Sequence, residues 1–161
     1  MHLVDSFNLY QVICLACHVK SYNRGVLSLF SNTIYLEKDI EKGCIVRGDV
    51  FYLEQAVKNY LQNAISHTTK DGNIKIKLSN IDNKIRFSVY NDGKEIEEQK
   101  MNKIWDSFYK TDEARTRNEG NNIGLGLYIV KTIISAHKGE VGVRNIDKGV
   151  EFWFTLDSYN S

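Results

Sequence analysis

Apolar and polar residues alternate in two neighbouring stretches of this chain, residues 74–78 and 85–89. Alternation with a period of two predicts strands that bury one face. Residues 81–83, Ile-Asp-Asn, separate the two stretches, and a connection this short predicts a turn. The sequence therefore predicts an antiparallel hairpin with one buried face.

The same pattern recurs at the end of the chain, where strands are predicted at residues 140–146 and 150–156 with a turn at Asp147-Lys148-Gly149. One side of the last strand is strongly apolar. Four of its side chains are predicted to point into the core, namely Val150, Phe152, Phe154 and Leu156.

Other segments repeat their apolar residues at intervals of three and four, which is the period of a helix. One such helix is predicted from Asp49, a suitable N-cap, to about His67. Another ends near Lys138, where Gly139 is the expected C′ residue and His137 is expected to pack at the helix end rather than to act as a catalyst.

Two more helices are predicted from weaker patterns. The first covers residues 9–30, capped by Asp5 or Ser6, and its role is expected to be structural. The second is short and covers residues 97–105. Between residues 111 and 122 the chain is polar and rich in charge, which predicts a mobile loop that closes over a ligand, although an ordinary surface loop has the same composition.

Two short strands, at residues 33–37 and 44–47, are predicted on either side of a charged turn at residues 39–43. The order of elements is then helix, two strands, helix, hairpin, short helix, loop, helix, hairpin. This order predicts an α/β (α+β) fold, a two-layer sandwich in which helices cover one face of a mixed, mainly antiparallel sheet.

The composition favours one compact domain spanning residues 1–161. Of these residues 42% are hydrophobic, and a chain of this length buries roughly two-thirds of its extended surface. The net charge is +1, so no large field favours nucleic acid, which is not an expected partner.

The three cysteines cannot all pair with one another, and no signal peptide opens the chain, so a cytoplasmic location is expected. Cys14 and Cys17 form a Cys-x-x-Cys pair beside His18. No second ligand pair follows at the spacing of a zinc finger, so buried thiols are favoured over a metal site. The longest apolar region is interrupted by charged residues and is too polar to span a bilayer.

A glycine-spaced stretch, residues 120–127, leads directly into an apolar helical segment. Glycines allow backbone N–H groups to approach a phosphate closely, and the following helix N-terminus adds unpaired donors and a positive dipole end. The stretch therefore predicts a phosphate cradle, although a glycine turn before a helix is common without any ligand. It matches neither of the two commoner phosphate motifs.

Asn59 and Asn63 lie four residues apart on the predicted helix, so both side chains can reach one ligand. An asparagine oxygen is a hard ligand that Mg²⁺ accepts together with waters and phosphates. Asn63 is therefore the candidate metal ligand. Two solvated surface asparagines would give the same pattern.

Two further stretches carry chemistry. The turn at residues 91–96 has an amide and a carboxylate, from Asn91 and Asp92, that could recognise the edge of a heterocycle. Residues 108–110, Phe-Tyr-Lys, place two predicted exposed aromatic side chains beside a cation. Either stretch could equally be a plain turn or surface segment.

These four stretches, in this order, resemble the ATP-binding catalytic domain of sensor histidine kinases, within the superfamily that also holds gyrase, Hsp90 and MutL. The helix with Asn59 and Asn63 resembles the N box, and residues 91–96 resemble the first glycine box. Residues 105–110 resemble the F box, and residues 120–127 the second glycine box. The likeness covers nearly the whole chain.

The resemblance implies ATP and Mg²⁺ as ligands, with Asn63 on Mg²⁺, Asn91 on the adenine amino group, His67 stacked on the base, and Gly124 and Gly126 along the phosphates. Asn59 and Lys110 are the implied catalytic residues. The implied nucleotide-binding set is Asn59, Asn63, His67, Asn91, Gly93, Ile96, Lys110, Ile123, Gly124, Leu125, Gly126 and Leu127.

The chain departs from the family pattern at several positions. The usual aspartate of the first glycine box is Asn91, and a later glycine of that box is Glu95. Asn122 stands where another glycine is common, and Ser66 where many relatives carry a basic residue. Because Asn91 is uncharged, its hydrogen bond to adenine loses charge assistance, which predicts modest nucleotide affinity.

The chemistry of Asn59 separates a kinase from a hydrolase. In the superfamily's ATPases a glutamate at this position activates water, and an amide cannot accept that proton. A histidine nitrogen already carries a lone pair, so transfer of the γ-phosphoryl group to it needs mainly positioning and charge neutralisation. The resemblance therefore implies a protein histidine kinase.

The phosphoacceptor is not found in the sequence, because none of His2, His18, His67 and His137 lies in a His-Glu or His-Asp pair that opens a long helix. We therefore expect a C-terminal fragment of a membrane-tethered homodimeric kinase that acts on its own dimerisation helices and on a response regulator. The isolated domain is expected to be a monomer. A non-catalytic nucleotide-binding regulatory module and a gyrase-type ATPase remain the alternatives.

Overall fold

The computed structural model describes residues 34–109 and 124–159, together with the backbone of residues 11–14. Its elements, in chain order, are β1 (Gln11–Cys14), β2 (Tyr35–Ile40), β3 (Ile45–Gly48), α1 (Val50–His67), β4 (Asn73–Ile81), β5 (Lys84–Asp92), α2 (Glu98–Met101), a 3₁₀ turn (Lys103–Trp105), α3 (Gly126–Ala136), β6 (Glu140–Ile146) and β7 (Gly149–Asp157).

Five strands form one sheet in the order β2-β4-β5-β7-β6. The pair β2 and β4 is parallel, and the remaining neighbours are antiparallel. This arrangement confirms the predicted mixed, mainly antiparallel sheet. Its one parallel pair is joined by a long connection that includes α1, as parallel strands require.

The two predicted short strands exist, but they belong to different sheets. β2 lies at the edge of the five-stranded sheet, where the backbone N–H of Glu41 still donates to Leu78 of β4 at 2.9 Å. β3 instead pairs with β1 in a separate two-stranded sheet. A left-handed glycine, Gly43 with φ +75°, lies in the turn that separates them.

The helix predicted over residues 9–30 is wrong at Gln11–Cys14, where the backbone forms β1. This strand pairs in antiparallel register with β3, from Gln11 opposite Gly48 to Cys14 opposite Ile45. β-Branched Val12 and Ile13 favour extended backbone over a helix. Pairing with β3, which is distant in sequence, then stabilises the extended conformation. The other residues of that predicted helix, including Cys17, lie outside the described residues.

Both predicted hairpins are present. The β4–β5 turn has two residues, Asp82 (φ 50°) and Asn83 (φ 62°), both left-handed as in the type I′ turns that suit the twist of a hairpin. In the β6–β7 hairpin the paired residues Ile146 and Gly149 enclose a two-residue turn. β7 therefore begins at Gly149, one residue earlier than predicted.

The core lies between one face of the sheet and the helices α1 and α3. The four predicted core side chains of β7 are each at most 5% exposed, which confirms the predicted alternation. Tyr60 of α1 packs among Phe87 and Phe154, and its hydroxyl donates to the backbone oxygen of Trp153 at 3.0 Å. α1 therefore contacts the centre of the sheet. Cys44 carries a buried thiol.

The opposite face of the sheet carries a charged and aromatic cluster. The buried carboxylate of Glu151 accepts hydrogen bonds from Arg86 at 3.1 Å and from Arg144 at 2.6 Å. The Arg86 guanidinium carbon lies 4.3 Å from the centroid of the Trp153 ring, a cation–π contact. The outer face of the sheet is therefore charged and aromatic, whereas the face under the helices is apolar.

The end of α3 differs from the prediction in one detail. Lys138, with φ 60°, occupies the left-handed C′ position, and the backbone N–H of Gly139 donates to Ile134 at 2.9 Å, as in a Schellman motif. Gly139 is needed for another reason. A Cβ there would lie 2.1 Å from the backbone oxygen of Thr155, so only glycine lets the chain pass beside β7.

Across the described segments, no helix combines the length and the apolar character needed to cross a membrane.

Candidate functional site

The helix α1 presents both candidate asparagines. Asp49 caps it, because its Oδ1 accepts from the backbone N–H groups of Phe51 at 2.9 Å and Tyr52 at 3.3 Å. The predicted cap is therefore confirmed. Asn59 is buried at 9% exposure and Asn63, one turn later, is half-buried.

The N-terminus of α3 lies against Asn59. A Cβ placed on Gly126, the first residue of α3, would lie 3.8 Å from Oδ1 of Asn59. At the other end of the same helix pair, His137 hydrogen-bonds to Asp49 at the start of α1. The two helices are therefore antiparallel, and the middle of α1 faces the start of α3.

The amide of Asn59 is only partly satisfied by the protein. Its Oδ1 accepts a long hydrogen bond from Gln55 at 3.4 Å, whereas its buried Nδ2 has no hydrogen-bond partner among the described residues. Burying a donor without an acceptor costs free energy, and such groups are rare in native proteins. An acceptor atom of a bound ligand would satisfy Nδ2, whereas Oδ1 is the Asn59 atom that lies nearest Gly126.

The glycine stretch enters α3 without a side-chain cap. Gly124 has φ +74°, in the left-handed region that favours glycine, and Leu125 follows at the N-cap position with no side-chain hydrogen bond to the helix. Gly126 and Leu127 begin the helix, and both are half-buried. The first amides of α3 therefore form the kind of helix start that binds anions.

Two predicted site residues cannot be placed. Lys110 and Ile123 lie outside the described residues, as does the loop between them. Their assigned contacts with nucleotide remain predictions.

Asn91 lies at the end of the row of side chains that β5 directs toward the helices. The preceding members of this row, Ile85, Phe87 and Val89, are at most 1% exposed, and Asn91 is 2% exposed. Its Nδ2 donates to the backbone oxygen of Asp92 at 3.2 Å. The Asn91 carboxamide therefore lies at the edge of the apolar core, on the side of the sheet that faces α1 and its Asn59.

Asp92 points to the other face of the sheet. One carboxylate oxygen accepts from the backbone and side chain of Asn73 at 2.8 and 2.7 Å, and the other accepts from the Tyr90 hydroxyl at 2.6 Å. The Tyr90 hydrogen bond is the largest cause that lowers the pKa of Asp92, and burial and then Asp92 raise the pKa of Tyr90 to about 12. The prediction that this carboxylate could recognise a heterocycle is therefore not supported.

Gly93 joins the end of β5 to the end of α1. A Cβ on Gly93 would lie 2.6 Å from the backbone oxygen of His67, so the contact requires glycine. The backbone N–H of Thr69 also donates to Asp92 at 3.1 Å. These contacts bring His67, whose side chain is exposed, beside the Asn91 turn.

Ile96 is fixed by a residue that the sequence analysis missed. The side chain of Asn145 on β6 accepts from the backbone N–H of Ile96 at 3.0 Å and donates to its backbone oxygen at 2.8 Å. Ile96 itself packs against the core. The only available signal was a polar residue on the inner side of a strand that otherwise alternates regularly.

The segment resembling the F box divides into buried and exposed parts. Trp105 is buried and its ring meets that of Phe152 edge-on at 6.1 Å. Phe108 is 66% exposed with φ 62°, whereas Tyr109 packs partly against the core. The prediction of two exposed aromatic side chains is confirmed for Phe108 and wrong for Tyr109.

Comparison with known proteins agrees with this geometry. Residues 48–160 match the family described as histidine kinase-, DNA gyrase B- and HSP90-like ATPase. Over 113 residues the chain is 36% identical to the sensor histidine kinase CusS of Escherichia coli (strain K12). This alignment covers 70% of this chain and 23% of CusS. The chain thus spans about a quarter of the length of the curated relatives it matches.

Solved structures show the same likeness. The catalytic domain of the histidine kinase ThkA superposes with a TM-score of 0.75 at 29% identity, covering 92% of this chain and 95% of that domain. The kinase in a complex of ThkA with the response regulator protein TrrA superposes with a TM-score of 0.74 at 27% identity, covering 93% and 42%.

The chain belongs to the histidine kinase-, DNA gyrase B- and HSP90-like ATPase family. Within it, the relatives and the fold identify the ATP-binding catalytic domain of a histidine kinase.

Proposed function

We propose that this domain binds Mg·ATP and transfers the γ-phosphoryl group to a histidine on the dimerisation helix of a two-component sensor kinase. The observation that carries the proposal is the amide of Asn59, whose Oδ1 faces Gly126 at the uncapped start of α3 and whose buried Nδ2 has no hydrogen-bond partner among the described residues. Phosphate oxygens are acceptors for this donor and for the first α3 amides.

Asn63 is the proposed protein ligand of Mg²⁺, one turn after Asn59. No group of three or more His, Cys, Asp and Glu side chains suited to a metal occurs in the described part of the chain. A Mg²⁺ ion can retain waters and be held by the nucleotide phosphates plus one amide oxygen. When bound, the ion would neutralise charge on the phosphates.

The adenine site would lie between the end of α1 and the end of β5. Asn91 would accept from the adenine amino group, Gly93 would leave room for the base, and Ile96 would contact it. The double hydrogen bond from Asn145 holds Ile96 in position. His67 would stack on the base from the end of α1.

The structure also agrees with a kinase rather than a hydrolase. The amide of Asn59 occupies the buried position beside the phosphate site, where it can donate a hydrogen bond but cannot accept a proton from water. Lys110 is proposed to add positive charge near the γ-phosphate. A histidine presented from outside the domain would be the nucleophile.

The rest of the kinase is also part of the proposal. We propose that residues 1–161 form one catalytic domain at the C-terminal end of a membrane-bound homodimer. Phe108 is 66% exposed and is proposed to contact the dimerisation helices. Because ThkA has been solved with the response regulator TrrA, a response regulator is the proposed recipient of the phosphoryl group.

Binding is tested by isothermal titration of the 161-residue chain with a non-hydrolysable ATP analogue, with and without Mg²⁺. We expect binding that Mg²⁺ strengthens in the wild-type chain, and no strengthening by Mg²⁺ in Asn63→Ala. The matched control is Gln62→Ala, an exposed neighbour on the same helix. Absence of binding at millimolar analogue would refute the proposal.

Phosphoryl transfer is tested by adding the histidine-bearing helices of the parent kinase and following labelled phosphate. Phosphohistidine on the added helices is the expected product. Nucleotide binding without any phosphohistidine would instead support the second candidate, a non-catalytic regulatory module, which is motivated by Asn91 and Glu95. Steady ATP turnover by the isolated domain, abolished in Asn59→Ala, would support an ATPase.

A further inference from the structure

The residue at the inner end, or floor, of the proposed base site is Asn91, whose side chain is a neutral carboxamide. A carboxylate at this position could only accept hydrogen bonds, whereas a carboxamide can also donate one. Asn91 is 2% exposed and faces the helices, while the carboxylate of the next residue, Asp92, lies on the other face of the sheet. Asn73 and Tyr90 hold that carboxylate with three hydrogen bonds. Asp92 therefore cannot take the place of a carboxylate at the floor.

The two side-chain types differ in which purines they accept. A carboxylate can only accept hydrogen bonds, so it pairs with the 6-amino group of adenine and repels the 6-oxo group of hypoxanthine or guanine. A carboxamide has an oxygen acceptor on one branch and an NH₂ donor on the other. It can therefore pair with either group after a half-turn about its last bond.

The half-turn has a cost that the structure bounds. In the orientation shown, Nδ2 of Asn91 donates to the backbone oxygen of Asp92 over 3.2 Å, which leaves Oδ1 as the branch available for a 6-amino group. Turning the amide to present Nδ2 to a 6-oxo group breaks this long, neutral hydrogen bond and turns Oδ1 toward the Asp92 oxygen, which can only accept. The lost bond and the two facing acceptors together correspond to a factor of up to about a hundred in affinity.

We propose that Asn91 makes this domain a purine-nucleotide site with reduced discrimination at position 6, so that it binds 6-oxo purine triphosphates within about a hundredfold of ATP. The proposal rests on the proposed nucleotide-binding function and names the substrate class of the same site. Specificity of this kind depends on whether the wrong group leaves a buried partner unpaired, and the carboxamide avoids that penalty.

The test compares ATP with ITP, which differs from ATP at position 6 and in the proton on the adjacent ring nitrogen. Dissociation constants for both, with Mg²⁺, are measured by titration for the wild-type chain and for Asn91→Asp. We expect a wild-type ITP/ATP ratio of about a hundred or less, and a ratio at least about tenfold larger in Asn91→Asp.

The control is Asp92→Asn, which changes the carboxylate on the other face and leaves the backbone oxygen that Asn91 contacts. It is expected to keep the wild-type ITP/ATP ratio even if the protein becomes less stable. This variant shows whether an effect comes from Asn91 itself or from any change at the end of β5.

A wild-type ratio above about a hundred, or equal ratios in the wild type and Asn91→Asp, would overturn the inference while ATP binding left the proposed function standing. If Asn91→Asp does not fold, the wild-type ratio alone decides. Failure of both nucleotides to bind would overturn the proposed function together with this inference.

Discussion

The imidazole of His137 connects the two helices of the site. Its Nε2 accepts from the backbone N–H of Asp49 at 3.0 Å, and its Nδ1 donates to the backbone oxygen of Ile133 at 2.7 Å. Since a carbonyl can only accept, the ring is the neutral tautomer with its proton on Nδ1. His137 thereby fixes the end of α3 to the start of α1, as the packing role predicted from its position implies.

Replacing His137 with alanine should lower the free energy of unfolding by about 1–3 kcal/mol, because a partly buried N–H and a carbonyl lose their partners. Urea denaturation measures the change. Lys131→Ala, at an exposed position of the same helix, is the control and should stay within about 0.5 kcal/mol of the wild type. Equal effects of the two substitutions would contradict the role of His137.

Lys138→Gly should raise the free energy of unfolding by about 0.5–1 kcal/mol. Lys138 has φ 60°, a conformation that a residue with a Cβ adopts at a cost and glycine adopts without it. The shift in thermal midpoint is the readout. Gly139→Ala should have the opposite effect, because its Cβ would lie 2.1 Å from the backbone oxygen of Thr155. A destabilised Lys138→Gly protein would show that Lys138 makes contacts worth more than the strain.

Gly126→Ala should separate folding from binding. The added Cβ makes an ordinary contact of 3.8 Å with Asn59, and alanine favours a helix over glycine, so stability should be unchanged or higher by up to about 1 kcal/mol. The methyl group nevertheless fills the space beside the Asn59 amide, where the phosphate is proposed to lie.

Affinity for an ATP analogue should fall at least about tenfold in Gly126→Ala, as measured by titration. Tyr128→Ala, at an exposed position two residues later on α3, is the control for effects on the helix itself. Wild-type affinity in Gly126→Ala would place the phosphates elsewhere.

Asn59→Leu should increase stability by about 1 kcal/mol in the absence of nucleotide, because an apolar side chain of similar size replaces a buried donor that has no partner among the described residues. The same change should abolish phosphoryl transfer. Denaturation and the transfer assay are run on the same preparation. A marked loss of stability would mean that the Asn59 amide is satisfied within the protein.

The Tyr90–Asp92 pair predicts effects at both ends of the pH range. The lowered pKa of Asp92 means that its contribution to stability is present above the unfolded value of about 4 and is lost as pH falls through the folded value. The pKa of Tyr90 is raised to about 12, so its contribution is complete below about 10 and is lost as pH rises toward 12.

Tyr90→Phe should remove the stability that the wild type loses at alkaline pH, because no hydroxyl remains to ionise. It should also reduce the stability lost at acid pH, because the hydroxyl that donates to Asp92 is gone. Urea unfolding followed from pH 2 to 6 and from pH 9 to 12 tests both. Tyr52→Phe, at an exposed tyrosine, is the control. Identical pH profiles for Tyr90→Phe and the wild type would show that the pair does not contribute.

Local patterns predicted most of the elements that position the site. The alternation in β5 and β7 and the cap at Asp49 were sufficient, because a strand's period and a cap's hydrogen bonds are local properties. The asparagine spacing on α1 likewise fixed which residues share a helix side. The contact between Asn59 and Gly126 required the packing of α1 on α3, which only the resemblance suggested.

Features that depend on distant partners were missed. β1 is a strand because β3 pairs with it, and β2 and β3 belong to different sheets although only a short turn joins them. The role of Asn145 depends on the backbone of Ile96, nearly fifty positions earlier in the chain. Neither pairing leaves a local signal that names the partner, since any inward polar residue or short apolar run would look the same.

The two tryptophans give the domain separate optical reporters. Trp105 is buried against Phe152 on the helix side of the sheet, whereas Trp153 lies on the opposite side, beneath Arg86. Emission from Trp105 is therefore expected to report the packing of the core, and emission from Trp153 the outer face of the sheet. A Trp153→Phe protein would consequently carry Trp105 as its single tryptophan.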